Sequence, residues 1–218
     1  MPKLFSHRGF TKHSEENTIA SLKEAYQNGF RAIEFDIWLV DGDLFIKHDE
    51  PKKEELADLP KLRDYLIYGN EMSYWMDFKN MNMGNVDTIA MLVKEAISQS
   101  KIEMRQIYLA PYVVDDEALT KFFHHKMKEI LNEKIHYAAV CEKLKDVQKL
   151  KRFLHDNKID YLSIAHEEID ENMMNIFQNI KVVAWTVNDL NRVKELYKMG
   201  VENVITDDVL PEAILNQN

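Results

Sequence analysis

The sequence predicts an α/β protein folded as a single (β/α)8 barrel over residues 1–218. Three observations carry this expectation. About eight apolar runs of strand length alternate with stretches of helical period, which implies a parallel sheet. The chain has 218 residues and 45% hydrophobic content, enough for one full-sized core. No G-x-G-x-x-G follows the first strand, which weakens the competing open doubly wound sheet.

The elements follow in order. Residues 4–7 form a first strand, ending in the polar loop 8–16. Asn17 or Thr18 caps a helix over 19–28 that Gly29 stops. Residues 32–39 are the second strand, and Asp41-Gly42 is a turn signal for a hairpin return over 44–47. A charged loop covers 51–55 and a short helix 60–68. Later strands fall at 73–79, 106–110, 135–140, 161–165, 181–187 and 203–206. Helices lie between them at 85–100, 117–131, 144–156, 168–177 and 189–199, and Pro211 starts a closing helix.

Composition narrows the function classes. The formal net charge is −9, which argues against a general nucleic-acid binder. The single cysteine, Cys141, excludes an internal disulfide and reads as a buried structural thiol. The first ten residues, MPKLFSHRGF, contain no apolar stretch long enough for a signal peptide or a membrane span, so a soluble cytoplasmic protein is expected.

Active sites of such barrels sit at the C-terminal ends of the strands. The polar residues there are His7, Arg8, Glu34, Asp36, Asp77, Lys79, Trp185, Asn188, Thr206 and Asp207, and the hairpin brings His48 back to the same mouth. Glu34 and Asp36 alternate with Ile33, Phe35 and Ile37, so the two acids share one face of the strand. Such alternation also describes surface acids on a half-exposed strand. In a barrel the pair faces inward and needs a positive partner. With Asp77 from the next strand, three carboxylates suit one hard divalent cation, Mg²⁺ or Ca²⁺.

Two histidines at one rim, His7 and His48, can divide the roles of base and acid near neutral pH. Asp49 either orients an imidazole or serves as a turn residue before Pro51. Arg8 and Lys79 are surface charges or phosphate contacts. A divalent cation, Arg, Lys and two His together suit a phosphoryl group that gains charge in its transition state.

In this order, His7-Arg8-Gly9, Glu16-Asn17-Thr18, Glu34-x-Asp36, Asp41-Gly42, His48-Asp49, Trp185-Thr186-Val187-Asn188 and Ile205-Thr206-Asp207 resemble the glycerophosphodiester phosphodiesterases across nearly the whole chain. The resemblance implies a TIM barrel that hydrolyses glycerophosphodiesters to glycerol 3-phosphate and an alcohol with a divalent cation. It implies His7 and His48 as the acid/base pair, Glu34 and Asp36 as metal ligands, and Arg8 as a phosphate contact. Asp77 and Lys79 match the family's acidic-x-Lys strand, where the acid is usually Glu. Trp185 is similar to the family's aromatic residue near the substrate's organic part, and Glu16 holds the rim by hydrogen bonds. Many members carry a long capping insertion after the His-Asp pair. Here a short charged loop leads from Asp49 to Leu59-Pro60-Lys61-Leu62.

Two other readings share the barrel or its site. One is a phospholipase acting on lysophospholipids or phosphoinositides by two-histidine chemistry. The other is a phosphate-binding protein without turnover. In the glycerophosphodiester reading the expected partner is a small phosphodiester, with no nucleic acid and no membrane span.

Overall fold

The computed structural model describes residues 2–111, 116–131 and 134–215. Among them, β1 (Lys3–His7), β2 (Ala32–Val40), β4 (Ser73–Phe78), β5 (Ile107–Pro111), β6 (His136–Cys141), β7 (Tyr161–Ala165), β8 (Lys181–Trp185) and β9 (Asn203–Thr206) pair in parallel, in chain order. β1 pairs with both β9 and β2, which closes the barrel. β3 (Asp43–Ile46) lies outside it, antiparallel on the projecting end of β2. The tight turn between them uses Asp41 at φ 47° and Gly42 at φ 80°, the doubly left-handed geometry that makes Asp-Gly a hairpin signal.

Helices α1 (Ile19–Gln27), α2 (Leu62–Tyr65), α3 (Val86–Ser100), α4 (Glu117–Ile130), α5 (Val147–Asp156), α6 (Glu171–Ile176), α7 (Leu190–Lys198) and α8 (Pro211–Leu215) accompany the strands. Side chains on the outer face of the sheet, such as Ile33, Phe35 and Ile37, belong to the buried layer shared with Leu62, Tyr65 and Val93. A second such layer covers β7 to β9 with Leu154, Met173 and Leu196. The barrel interior holds a separate, smaller cluster of Phe5, Trp75, Tyr108, Tyr161, Val183 and Ile205. Phe5, Trp75 and Tyr108 pack ring against ring at 5.4–5.8 Å. Lys3 Nζ closes the far end by donating to Ser73 Oγ and Tyr108 Oη at 2.8 and 2.9 Å. The interior is therefore a packed floor beneath the C-terminal ends of the strands.

Several boundaries differ from expectation for local reasons. Thr18, rather than Asn17, caps α1, accepting from Ser21 N at 3.1 Å. The helix expected over 60–68 shrinks to Leu62–Tyr65, followed by a separate 3₁₀ turn at Gly69–Glu71. The helix expected over 168–177 starts late, because Asp170 caps it through Met173 N at 2.7 Å. Cys141 is half-buried rather than buried, with its Sγ 3.0 Å from the Lys143 carbonyl. Among the described residues, no helix is long and apolar enough to cross a membrane.

Candidate active site

Strand register sets the site in two rungs. His7 on β1 pairs with Glu34 on β2, and Glu34 pairs with Trp75 on β4. Two residues further on, Asp36 pairs with Asp77. Alternation turns Glu34, Asp36 and Asp77 to the interior, above the aromatic floor. Glu34 and Asp36 are only 4% and 1% exposed. A cleft of about 480 Å³ opens above them, with His7, Arg8, His48, Lys79 and Trp185 in its walls.

The loop after β1 is built to turn sharply. Arg8 and Asn17 both adopt left-handed backbone, at φ 54° and 57°. Gly9 sits at φ 88°, and a Cβ there would lie 2.4 Å from Ser21 Oγ and 2.8 Å from the Ser21 backbone carbon. Only glycine lets the loop lie against the first turn of α1. Backbone bonds Phe10 N to Ser21 O (3.0 Å) and Asn17 N to Arg8 O (2.8 Å) then lock the loop over the barrel mouth.

The three acids are crowded and dry. Each offers an oxygen within 4.8 Å of the others. Burial, and then the neighbouring Asp36, holds the Glu34 carboxyl well above the usual carboxylate range. Burial also pushes Asp77 up to about 6, against the opposing pull of Lys79. Two side-chain cations answer this cluster. Lys79 Nζ lies 2.7 Å from Asp36 Oδ1 and 2.8 Å from Asp77 Oδ2. Burial disfavours its ammonium, but Asp77 and Asp36 outweigh that and raise its pKa. Arg8 Nε lies 3.0 Å from Asp36 Oδ2, off the hydrogen-bond direction, while its Nη1 donates to both Glu16 oxygens at 3.1 and 3.3 Å. Asn17 Nδ2 also donates to Asp36 Oδ2 at 2.8 Å, and Asp36 N donates back to Asn17 Oδ1. One buried oxygen, Asp77 Oδ1, has no hydrogen-bond partner among the described residues. An all-oxygen donor set with such an orphaned oxygen fits a hard divalent cation.

The two histidines face the cleft from different supports. His7 Nε2 lies 3.8 Å from Glu34 Oε2, and His7 Nδ1 lies 2.7 Å from Asp207 Oδ1. Burial works against its protonation, but the Asp207 contact and the Glu34 charge together raise its pKa above the ordinary value. His48 follows β3 and is 41% exposed, with its Nδ1 2.9 Å from Asp49 Oδ1. The arm that carries it is pinned from within. Trp38 Nε1 donates to the His48 carbonyl at 3.1 Å, and Asn80 clamps Leu39 through both its N–H and its carbonyl. Beyond Asp49 there is a single 3₁₀ turn at Lys53–Glu55, and the chain rejoins the arm where Ile46 N donates to the Pro60 carbonyl.

The site residues expected from sequence thus lie around one cleft, with Glu16 and Asp49 touching its wall residues Arg8 and His48. Four neighbours had no role assigned from sequence. Asn17 reads in sequence as a helix cap, Trp38 lies unremarked within the strand over 32–39, and Asp207 and Asn188 read as rim polars. Glu142 and Ser163 also line the cleft, and no sequence signal points to them. His136 lies at the opposite end of the barrel, packed on the Tyr108 and Tyr161 rings at 4.5 and 5.3 Å.

The chain is similar to known proteins over nearly its whole length. The profile described as Glycerophosphoryl diester phosphodiesterase family matches residues 7–172. A glycerophosphodiester phosphodiesterase of Caldanaerobacter subterraneus subsp. tengcongensis is 25% identical over 251 aligned residues, spanning 98% of this chain and 96% of the relative. One from Bacillus altitudinis is 23% identical, spanning 95% of each chain. Among solved structures, an Oleispira antarctica phosphodiesterase in complex with the product sn-glycerol-3-phosphate superposes with a TM-score of 0.77 at 21% identity, covering 95% of this chain and 93% of that one. The match begins at His7 and runs through both rungs of acids, so the chain belongs to the glycerophosphoryl diester phosphodiesterase family, a family of phosphoric diester hydrolases.

Proposed function

We propose that the chain hydrolyses glycerophosphodiesters to glycerol 3-phosphate and an alcohol, using one divalent cation, Mg²⁺ or Ca²⁺, held by Glu34, Asp36 and Asp77. The charge balance of the cleft carries this reading. Three clustered carboxylates face two side-chain cations, Arg8 and Lys79. These side chains, with Glu142 also in the lining, give the cleft no excess of positive charge to attract a phosphodiester anion. A divalent cation among the acids adds two positive charges where the phosphoryl oxygens would lie. When bound, the cation supplies electrophilic stabilisation of charge building on the phosphoryl oxygens.

The chain's own residues have distinct tasks. Arg8, steadied by Glu16, and Lys79 hold the nonbridging oxygens. One of His7 and His48 removes the proton of the nucleophile, either water or a neighbouring substrate hydroxyl. The other protonates the departing alcohol. Asp49 orients the His48 ring, and Trp185 contacts the organic part of the substrate. The test is turnover of a panel of glycerophosphodiesters and lysophospholipids, followed by release of glycerol 3-phosphate. His7→Ala and His48→Ala should each lower kcat at least ~100-fold, the ordinary contribution of general acid–base catalysis. Near-normal turnover in either variant contradicts the assignment.

A further inference from the structure

We infer that Asp207 and Asn188 together fix the tautomer of His7, keeping the proton on Nδ1 and presenting the Nε2 lone pair to the cleft. Asp207 follows the last barrel strand, β9, and Asn188 lies between β8 and α7. His7 Nδ1 and Asp207 Oδ1 are 2.7 Å apart. Burial disfavours the Asp207 carboxylate, but its bonds from His7 and Asn188 outweigh that and hold its pKa below the ordinary value. An ionised carboxylate can only accept, so Nδ1 must donate. In the neutral ring the remaining lone pair is then on Nε2, the nitrogen 3.8 Å from Glu34 Oε2.

Asn188 makes the arrangement directional. Its Oδ1 accepts from the Asp207 backbone N–H at 2.8 Å and from the Thr206 hydroxyl at 3.2 Å. A backbone N–H can only donate, so the Asn188 amide has one permitted orientation. Its Nδ2 therefore donates to Asp207 Oδ2, at 2.8 Å. Both carboxylate oxygens are committed, one to His7 and one to Asn188. In Asp207→Asn the new amide must turn its oxygen to Asn188 Nδ2 and its NH₂ to His7 Nδ1. Nδ1 must then accept, and the proton moves to Nε2, where it blocks the lone pair. Removing Asn188 as well frees that amide to rotate, so its oxygen can again receive the Nδ1 proton. Asp207 is thus a positioning residue for His7, and Asn188 is the reason that an isosteric amide cannot replace it.

The test is the ¹⁵N imidazole spectrum of His7, recorded above the ring's pKa, in the parent chain and in Asp207→Asn, Asn188→Ala and the double variant. The Nδ1–H form should dominate in the parent chain and in Asn188→Ala. It should give way to Nε2–H in Asp207→Asn and return in the double variant. A His7 that keeps Nδ1–H in Asp207→Asn, or a double variant that stays Nε2–H, overturns the assignment. The effect on turnover rests on the proposed acid–base role of His7. Asp207→Asn should lower kcat/KM by about 10²–10⁴-fold, as a wrong histidine tautomer does elsewhere. The double variant should recover about tenfold of that, the size of a strong pairwise coupling. If the parent chain turns over no phosphodiester while the spectra follow this pattern, the tautomer assignment stands and the acid–base role falls.

Discussion

Asn17 and Asp36 hold each other in both directions. The Asn17 amide donates to Asp36 Oδ2 at 2.8 Å, and the Asp36 backbone N–H donates to Asn17 Oδ1 at 3.2 Å. Asn17 is buried and takes up left-handed backbone to make this pair. It fixes the orientation of a buried carboxylate that is central to the proposed cation site. Asn17→Ala should therefore weaken Mg²⁺ or Ca²⁺ binding by about 10–100-fold, the usual cost of losing an outer partner of a metal ligand. Calorimetric titration of the chelator-stripped protein measures this. An unchanged affinity would mean that Asp36 needs no help from Asn17.

Lys79 neutralises Asp36 and Asp77 from 2.7 and 2.8 Å. Lys79→Met leaves that pair of mostly buried acids without its ammonium, a change that costs about 3–5 kcal/mol when a buried pair is broken. A divalent cation supplies the same charge. The loss of thermal stability in Lys79→Met should thus be large in chelator and smaller with saturating Mg²⁺ or Ca²⁺. Equal losses under both conditions would separate the cation from these acids.

Gly9 tests the loop that carries Arg8. A methyl group there meets the Ser21 backbone at 2.8 Å as well as its hydroxyl at 2.4 Å, at a φ of 88°. The hydroxyl could rotate away, but the backbone of α1 cannot. Gly9→Ala should cost about 1–3 kcal/mol of stability, measured by urea unfolding. An alanine variant of parental stability would show that the loop has room to relax.

His124 predicts a pH dependence far from the cleft. It is 2% exposed on α4, its ring 5.3 Å from that of Tyr137. Burial, with the nearby Lys128 ammonium, pushes its pKa down to about 3, outweighing a weak backbone contact with Ala138. The folded state thus keeps the ring neutral where the unfolded chain, with an ordinary pKa of 6.5, takes up a proton. Stability contributed at this position is complete above pH 6.5 and falls as the pH drops below it. The slope approaches ~1.4 kcal/mol per pH unit, so the loss between pH 7.5 and pH 5 is about 2 kcal/mol. His124→Leu should remove that part of the acid sensitivity. Parallel pH profiles for the two proteins would contradict it.

The barrel is legible in the sequence because each strand carries its own signal: an apolar run of the right length, then a helical period. The inward aim of Glu34 and Asp36 follows from the two-residue period of a strand once the sheet is closed. Asn17 is different. An asparagine just before a helix already has a sufficient local explanation as a cap, and nothing nearby in sequence reveals a carboxylate 19 residues on. Trp38 is equally silent, since its donation to the His48 carbonyl exists only after the hairpin folds back. Asp207 and Asn188 are visible as rim polars, but their link to His7 spans almost the whole chain and depends on β9 closing against β1. Pairings made by barrel closure leave no local pattern to read.

On the proposed function, a cation held by Glu34, Asp36 and Asp77 is required for phosphodiester cleavage at this cleft. The most direct measurement is the rate of glycerol 3-phosphate release from glycerophosphodiesters by one protein preparation, before chelation, after stripping with EDTA, and after adding back Mg²⁺ or Ca²⁺. Activity is expected before chelation, none after stripping, and restoration by at least one of the two ions. Full activity in the presence of chelator would contradict it.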